Sequence, residues 1–253
     1  MKQIPNLFTL LNLFFGCIAI VFTLQTQTVL ISVNEDFSSS FSLPEQLMYA
    51  SVFIFIAAIV DFLDGFVARL FNASSEMGKQ LDSLADVVSF GVAPSMILYQ
   101  LLRFSYMQEE NGLNTSVLLL FPAFLVACAG AYRLARFNID TTQSYGFKGV
   151  PIPAAGILIA SFPLALHYGS SIINVNELFI NKWFLYGVIV AVSLLMISKL
   201  PMMAMKFKNL SLKNNLSKFL LIIFSVIAVF ILHWVAVPVI FIAYIILSLA
   251  FKN

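Results

Sequence analysis

What this chain can fold into is limited first by a succession of apolar runs, each long enough to cross a bilayer and separated by few charges. A helix needs about 20 mostly apolar residues to span a hydrocarbon core about 30 Å thick. Candidate spans lie near residues 7–31, 47–71, 84–104, 116–137, 153–171, 182–200, 216–233 and 235–251, about eight in all. The last two are short and joined tightly at HWVAVP, which predicts a helical hairpin or a re-entrant pair. Only 10% of the residues are charged and 60% are hydrophobic, whereas a soluble domain is about a quarter charged. The expected fold is an all-α, polytopic bundle of membrane helices, with residues 1–253 forming one domain.

Orientation follows from the basic residues, which concentrate in cytoplasmic loops. With both termini placed in the cytoplasm, only Arg103 and Lys182 of the 14 Lys and Arg fall in outer segments. Trp183 and Trp234 then both sit at the outer interface, where indoles are favoured. The opening MKQIPNLFTLLNLFFGCIAIVF imitates a signal peptide, but Phe14 is a poor residue three before Cys17, and the segment reads as the first span. Cys17 and Cys128 have no partner spacing, so neither a disulfide framework nor a zinc site is indicated. A formal net charge of +2 argues against a nucleic-acid partner. The basic segment KFKNLSLKNNLSK at 206–218 suits anionic lipid head groups or topology.

Against this background, DFLDGFVARLFNASSEMGKQLDSLAD at 61–86 stands out. Asp61, Asp64, Asp82 and Asp86 are four of only 12 acidic side chains in the chain. If the second span starts near Leu47, Asp61 lies roughly 21 Å along it, inside the cytoplasmic face of the bilayer. A lone aspartate at the core centre costs about 2.5–3.5 kcal/mol, and a group of them costs more unless a cation binds among them. Asp61 and Asp64 are three apart and Asp82 and Asp86 four apart, so each pair shares a helix face. The NASSEMGK linker allows two antiparallel helices to aim all four into one cleft. Clustered oxygen ligands suit a hard divalent cation, Mg²⁺ or Mn²⁺, and four carboxylates suffice for two, an arrangement that serves phosphoryl displacement. Gly65 and Ala68 leave room for a ligand beside the backbone, and Arg69 offers a fork of donors to phosphate.

Taken together, Asp61, Asp64, Gly65, Ala68, Arg69, Gly78, Asp82 and Asp86 form D-x2-D-G-x2-A-R-x8-G-x3-D-x3-D. This pattern resembles the signature of the CDP-alcohol phosphatidyltransferases. Enzymes of that family move a phosphatidyl group from a CDP-linked lipid to an alcohol and release CMP. The resemblance implies that Asp61 and Asp82 bridge two metals, that Asp64 holds the first and Asp86 the second, and that Asp86 is the general base. It also implies that Asn6 and Thr9, in the similar opening PNLFTLLN, reach the nucleotide together with Gly65, Ala68, Arg69, Ser75 and Gly78. SFGVAP after Asp86, RLARFN at 133–138 and FKGVPIPAAG at 147–156 resemble the bacterial and archaeal phosphatidylserine synthases within the family. The resemblance covers about residues 3–160.

The implied reaction is attack by the hydroxyl of L-serine on the lipid-side phosphorus of CDP-diacylglycerol, with CMP leaving. Asp86, at the edge of the cluster, is the best-placed side chain to accept the hydroxyl proton. Arg133 and Arg136 share a face at the cytoplasmic end of the fourth span and suit an anionic acceptor, with Asn138 and Lys148 as neighbours. An acceptor bearing phosphate wants the same arginines, so the choice of serine over glycerol 3-phosphate, inositol phosphate or choline rests on the RLARFN and GVPIP stretches. Family analogy adds a homodimer in a bacterial or archaeal inner membrane, with the site facing the cytoplasm. The rival outside enzymology is a cation or proton-coupled transporter, in which intramembrane acids line an ion path. Here the inner acids lie on one side, which weighs against a path. Pro94, eight residues beyond Asp86, is expected to bend the third span.

Overall fold

The structure, a computed structural model, describes residues 4–26, 31–33, 39–41, 44–70, 75–109, 114–140, 147–169, 175–203 and 215–251. Outside that description fall the side chains of Ala68 and Arg69 and most of the basic segment, 206–214. The chain is mostly helical, and five described runs are long and apolar enough to cross a membrane. They are Pro5–Leu24, Glu45–Val67, Glu76–Met107, Val117–Ile139 and Leu216–Ala250, with shorter apolar helices at Ile152–His167 and Lys182–Ile197.

The first helix, α1 (Ile4–Leu24), packs along α2 (Glu45–Leu70), with Phe53 stacked between Phe15 and Phe22 at centroid distances of 6.1 and 5.3 Å. α1 stops seven residues short of the expected end at 31. Gln25 and Thr26 follow its last turn, and Ile31–Val33, two of its three residues β-branched, pairs as β1 with β2 (Ser39–Phe41). The third span begins earlier than expected. α3 (Glu76–Asp86), a π turn over Val87–Val92 and α4 (Ala93–Met107) form one continuous run.

The π turn is the form that the expected bend takes. Pro94 has no N–H for the carbonyl four residues back, and its ring crowds that carbonyl. The helix widens instead, and the Ala93 N–H closes on the Val88 carbonyl. SFGVAP therefore supplies the last four residues of the wide turn, which starts one residue after Asp86, and the proline that forces it.

Two short 3-10 turns at Val117–Leu119 and Phe121–Phe124 lead into α5 (Leu125–Ile139), with Pro122 at the start of the second. β3 (Phe147–Lys148) then precedes α6 (Ile152–His167). Most of α6 is buried on every side, the mark of a helix enclosed by other helices. It packs against α2, α4 and the π turn. A Cβ on Gly156 would sit 2.9 Å from the Phe90 side chain and 3.0 Å from its Cα. The glycine is what lets α6 lie directly on the π turn.

The short α7 (Asn176–Ile180) and α8 (Lys182–Ile197) come next, followed by β4 (Pro201–Met202), which pairs antiparallel with β3. Gly149, at φ +79°, makes the turn after β3 beneath the Leu195, Met196 and Ser198 carbonyls, a conformation and a space closed to a side chain. The last pair, α9 (Leu216–Leu232) and α10 (Ala236–Ala250), is a hairpin reversed at His233–Val235, where His233 takes φ 51°.

Candidate active site

The site is assembled from α1, α2, α3 and α5. α2 starts at Glu45, so Asp61 stands about 24 Å along it at 1.5 Å per residue. Asp64 follows one turn later and is buried at 7% exposure. On α3, Asp82 and Asp86 lie one turn apart, and Asp86 is equally buried. Carboxylate oxygens of Asp61, Asp82 and Asp86 all lie within 4.8 Å of one another. Asp64 stands beside this trio, within charge–charge range of Asp61 and Asp82, and accepts a hydrogen bond from the Thr9 hydroxyl. The same hydroxyl reaches the Pro5 carbonyl at 3.2 Å and has one proton to give.

α1 supplies a polar stripe to this cluster. Thr9 and Asn12 are three apart on one face and almost fully buried. Asn12 Nδ2 donates to Asp86 Oδ1 at 3.4 Å, and Ser89, in the π turn, donates to the Asn12 carbonyl at 3.0 Å. A Cβ on Gly16 would collide with the Ser89 Cα at 2.8 Å, so α1 presses onto the π turn just above the acids. Asn6 belongs to the same stripe. A Cβ on Gly78 would stand 3.0 Å from both the Asn6 and Ser75 side-chain oxygens, so the start of α3 lies against the start of α1.

Ser75 is the N-cap of α3, accepting the Gly78 N–H at 3.0 Å. Space beside Gly65 is open, since a Cβ there would meet nothing within 4 Å.

The four residues expected to meet the acceptor separate into two kinds. Arg133 is buried at 6% exposure, sits over the Phe137 ring at 5.5 Å and lies within charge–charge range of Asp86. The other three serve the protein. Arg136 donates to the Ile197, Ser198 and Lys148 carbonyls at 2.6, 2.9 and 3.4 Å. Asn138 donates to the Ser83 hydroxyl at 2.8 Å, and its carbonyl accepts from Lys79 at 3.4 Å, so it ties α5 to α3. Lys148 forms an ion pair with Asp140 at 2.9 Å.

Sequence reasoning gave no role to Asn12 or Ser89, although Asn6, Thr9 and Asn12 recur every three residues in an otherwise apolar helix. That spacing was the available signal for Asn12.

The donor set fits a hard cation. Three carboxylates converge in a largely buried place, and one arginine in range of Asp86 leaves an excess of negative charge. Oxygen-only ligands at this density suit a divalent ion.

Comparison with known proteins agrees with this geometry. A family model described as CDP-alcohol phosphatidyltransferase matches residues 2–195. The CDP-diacylglycerol–serine O-phosphatidyltransferase of Helicobacter pylori J99 is 35% identical over 233 residues, covering 90% of this chain and 81% of its own length. The protein of the same name from Bacillus subtilis is 39% identical over 126 residues, 48% of this chain and 66% of its own. That from Methanocaldococcus jannaschii is 42% identical over 109 residues, 43% and 47% respectively. The match to the H. pylori protein reaches into the last third of the chain, beyond the motifs legible at 3–160. The matched family region contains all four aspartates together with the α1 stripe and Arg133, and on that agreement the chain belongs to the CDP-alcohol phosphatidyltransferase family.

Proposed function

We propose that this protein transfers the phosphatidyl group of CDP-diacylglycerol to the hydroxyl of L-serine, giving phosphatidylserine and CMP. The observation that carries the chemistry is the convergence of Asp61, Asp82 and Asp86 within 4.8 Å. The choice of serine is supported by the relatives, all named for that reaction, the first of them covering 90% of the chain.

The family uses a divalent cation. Asp61, Asp64, Asp82 and Asp86 are assigned as the residues that hold two such ions, Mg²⁺ or Mn²⁺. When bound, these ions supply charge neutralisation to the diphosphate and to the departing CMP. Asn6, Thr9, Gly65, Ala68, Arg69, Ser75 and Gly78 are assigned to the CDP-lipid. The open space beside Gly65 and the meeting of Asn6 with the start of α3 support this.

Asp86 accepts the serine proton as the hydroxyl oxygen bonds to phosphorus and the bond to CMP breaks. Asn12 donates to Asp86 Oδ1 and so orients the carboxylate that takes the proton. Arg133, within charge–charge range of Asp86, reads the serine carboxylate; Arg136, Asn138 and Lys148 are bonded to protein groups.

The same reading places the whole chain as one membrane domain. Eight crossings result if the two shorter apolar helices also span and the α9–α10 run counts twice for its break at His233. Both termini and the acidic cluster then face the cytoplasm of a bacterium or archaeon, as the Lys and Arg distribution supports. A homodimer rests on family analogy alone. The decisive experiment gives purified protein in lipid CDP-diacylglycerol with labelled serine, glycerol 3-phosphate or inositol phosphate in turn. Serine-dependent CMP release is expected; release that requires a phosphorylated alcohol ends the serine assignment.

A further inference from the structure

The last hairpin lies outside the residues matched by the family model, and its sequence carries no motif. It nonetheless touches the acceptor end of the site. Tyr244 and Ser248, four apart on one face of α10, are buried at 8% and 3% exposure in an otherwise apolar helix. They take hold of a single residue at both of its polar backbone atoms. The Met203 N–H donates to Ser248 Oγ at 3.1 Å, and the Tyr244 hydroxyl donates to the Met203 carbonyl at 3.1 Å.

Met203 directly follows β4, whose Pro201 and Met202 pair with Lys148 and Phe147. The Gly149 N–H continues that link to the Leu200 carbonyl at 2.9 Å. The same strand pair and the end of α8 receive the three hydrogen bonds of Arg136, one turn beyond Arg133 on α5. Tyr244 itself lies within electrostatic range of Arg133. A continuous line of hydrogen bonds therefore runs from α10 through β4 and β3 to the helix that carries Arg133.

We propose that α10 is the back wall of the acceptor end of the site, with Tyr244 and Ser248 as positioning residues that fix Met203 and the β3–β4 pair and so set the place of Arg133. This rests on the reading of Arg133 as the group that receives the acceptor's carboxylate. A clamp that only satisfied the Met203 peptide would bear on both substrates alike. A wall behind Arg133 bears on one.

The test is a steady-state comparison of Tyr244→Phe and Ser248→Ala with the unmodified protein in lipid, varying CDP-diacylglycerol and acceptor separately. Tyr244→Phe keeps the ring and removes the neutral hydrogen bonds to the Met203 carbonyl and Ser248, so the acceptor KM is expected to rise about fivefold while that for CDP-diacylglycerol stays within about twofold. Ser248→Ala is expected to shift the same constant in the same direction, and it decides the matter by the same criterion if Tyr244→Phe does not fold. Equal rises in both constants, or no rise in either, overturn the proposal. The unmodified protein alone reports which acceptor is used. If that is not serine, the functional reading falls, and the variants are still judged on the KM of the acceptor found.

Discussion

The acidic end of α2 and α3 and the outer face of α9 belong to one membrane protein and obey opposite rules. Around the acids, polar side chains are buried and each has a set place. Thr9 is on Asp64, Asn12 on Asp86 and Ser89 on the Asn12 carbonyl. On α9 most residues are apolar and more than half are exposed, with Phe230 81% exposed and only Leu221 and Ala228 buried. Lipid is as apolar as leucine, so an outward position accepts almost any apolar side chain. A polar group within the bilayer must find a particular partner at a particular distance. Motifs accumulate where the second rule holds.

The sharpest way to break this contrast is to remove one acid. Asp82→Ala or Asp61→Ala is expected to lower turnover on the order of 10³-fold and to abolish Mn²⁺ binding by the purified protein, read directly by spin resonance. Full turnover in either variant contradicts the shared site.

Separating the two arginines sharpens the contrast further. Arg133→Ala is expected to raise the serine KM about tenfold to a hundredfold, the value of a lost hydrogen bond to a charged group. Arg136→Ala, which cuts the line of hydrogen bonds to Arg133, is expected to raise the serine KM less than Arg133→Ala does and to lower the midpoint of thermal unfolding on the order of 5 °C, since it strips three carbonyls of their donor. A serine KM that rises more in Arg136→Ala than in Arg133→Ala reverses the assignment.

Packing beneath the acids gives the next effect. Gly156→Leu drives a side chain into the Phe90 backbone, which is expected to cost about 1–3 kcal/mol of stability by denaturant or thermal unfolding. Smallest of all, Phe230→Leu on the outward face of α9 is expected to stay within about 0.5 kcal/mol of the unmodified protein. A large loss there points to a protein partner on that face.

The legibility of the sequence follows the same division. The aspartates could be read because their spacings, three and four, are those of a helix face, and four acids among so many apolar residues demand a cation. Span positions could be read from hydropathy, though α1 ends at Leu24, short of the apolar run's end. The role of SFGVAP came only with the structure. Pro94 predicts a disturbance in the helix but not its form, and the π turn lets Ser89, Phe90 and Gly91 meet α1, α6 and α5. Tyr244 gave no signal, being a lone tyrosine in an apolar run.

By itself the sequence determined a chain of membrane helices with an acidic cluster whose oxygens suit a cation, because hydropathy and helical periodicity are local properties. Only the tertiary structure told the two arginines apart, with Arg133 beside Asp86 and Arg136 on backbone carbonyls. Arg133 and Arg136 are three residues apart on the same helix and alike in the sequence. Their difference lies in carbonyls contributed by Ile197 and Ser198, 61 and 62 residues away, and no local pattern carries that information.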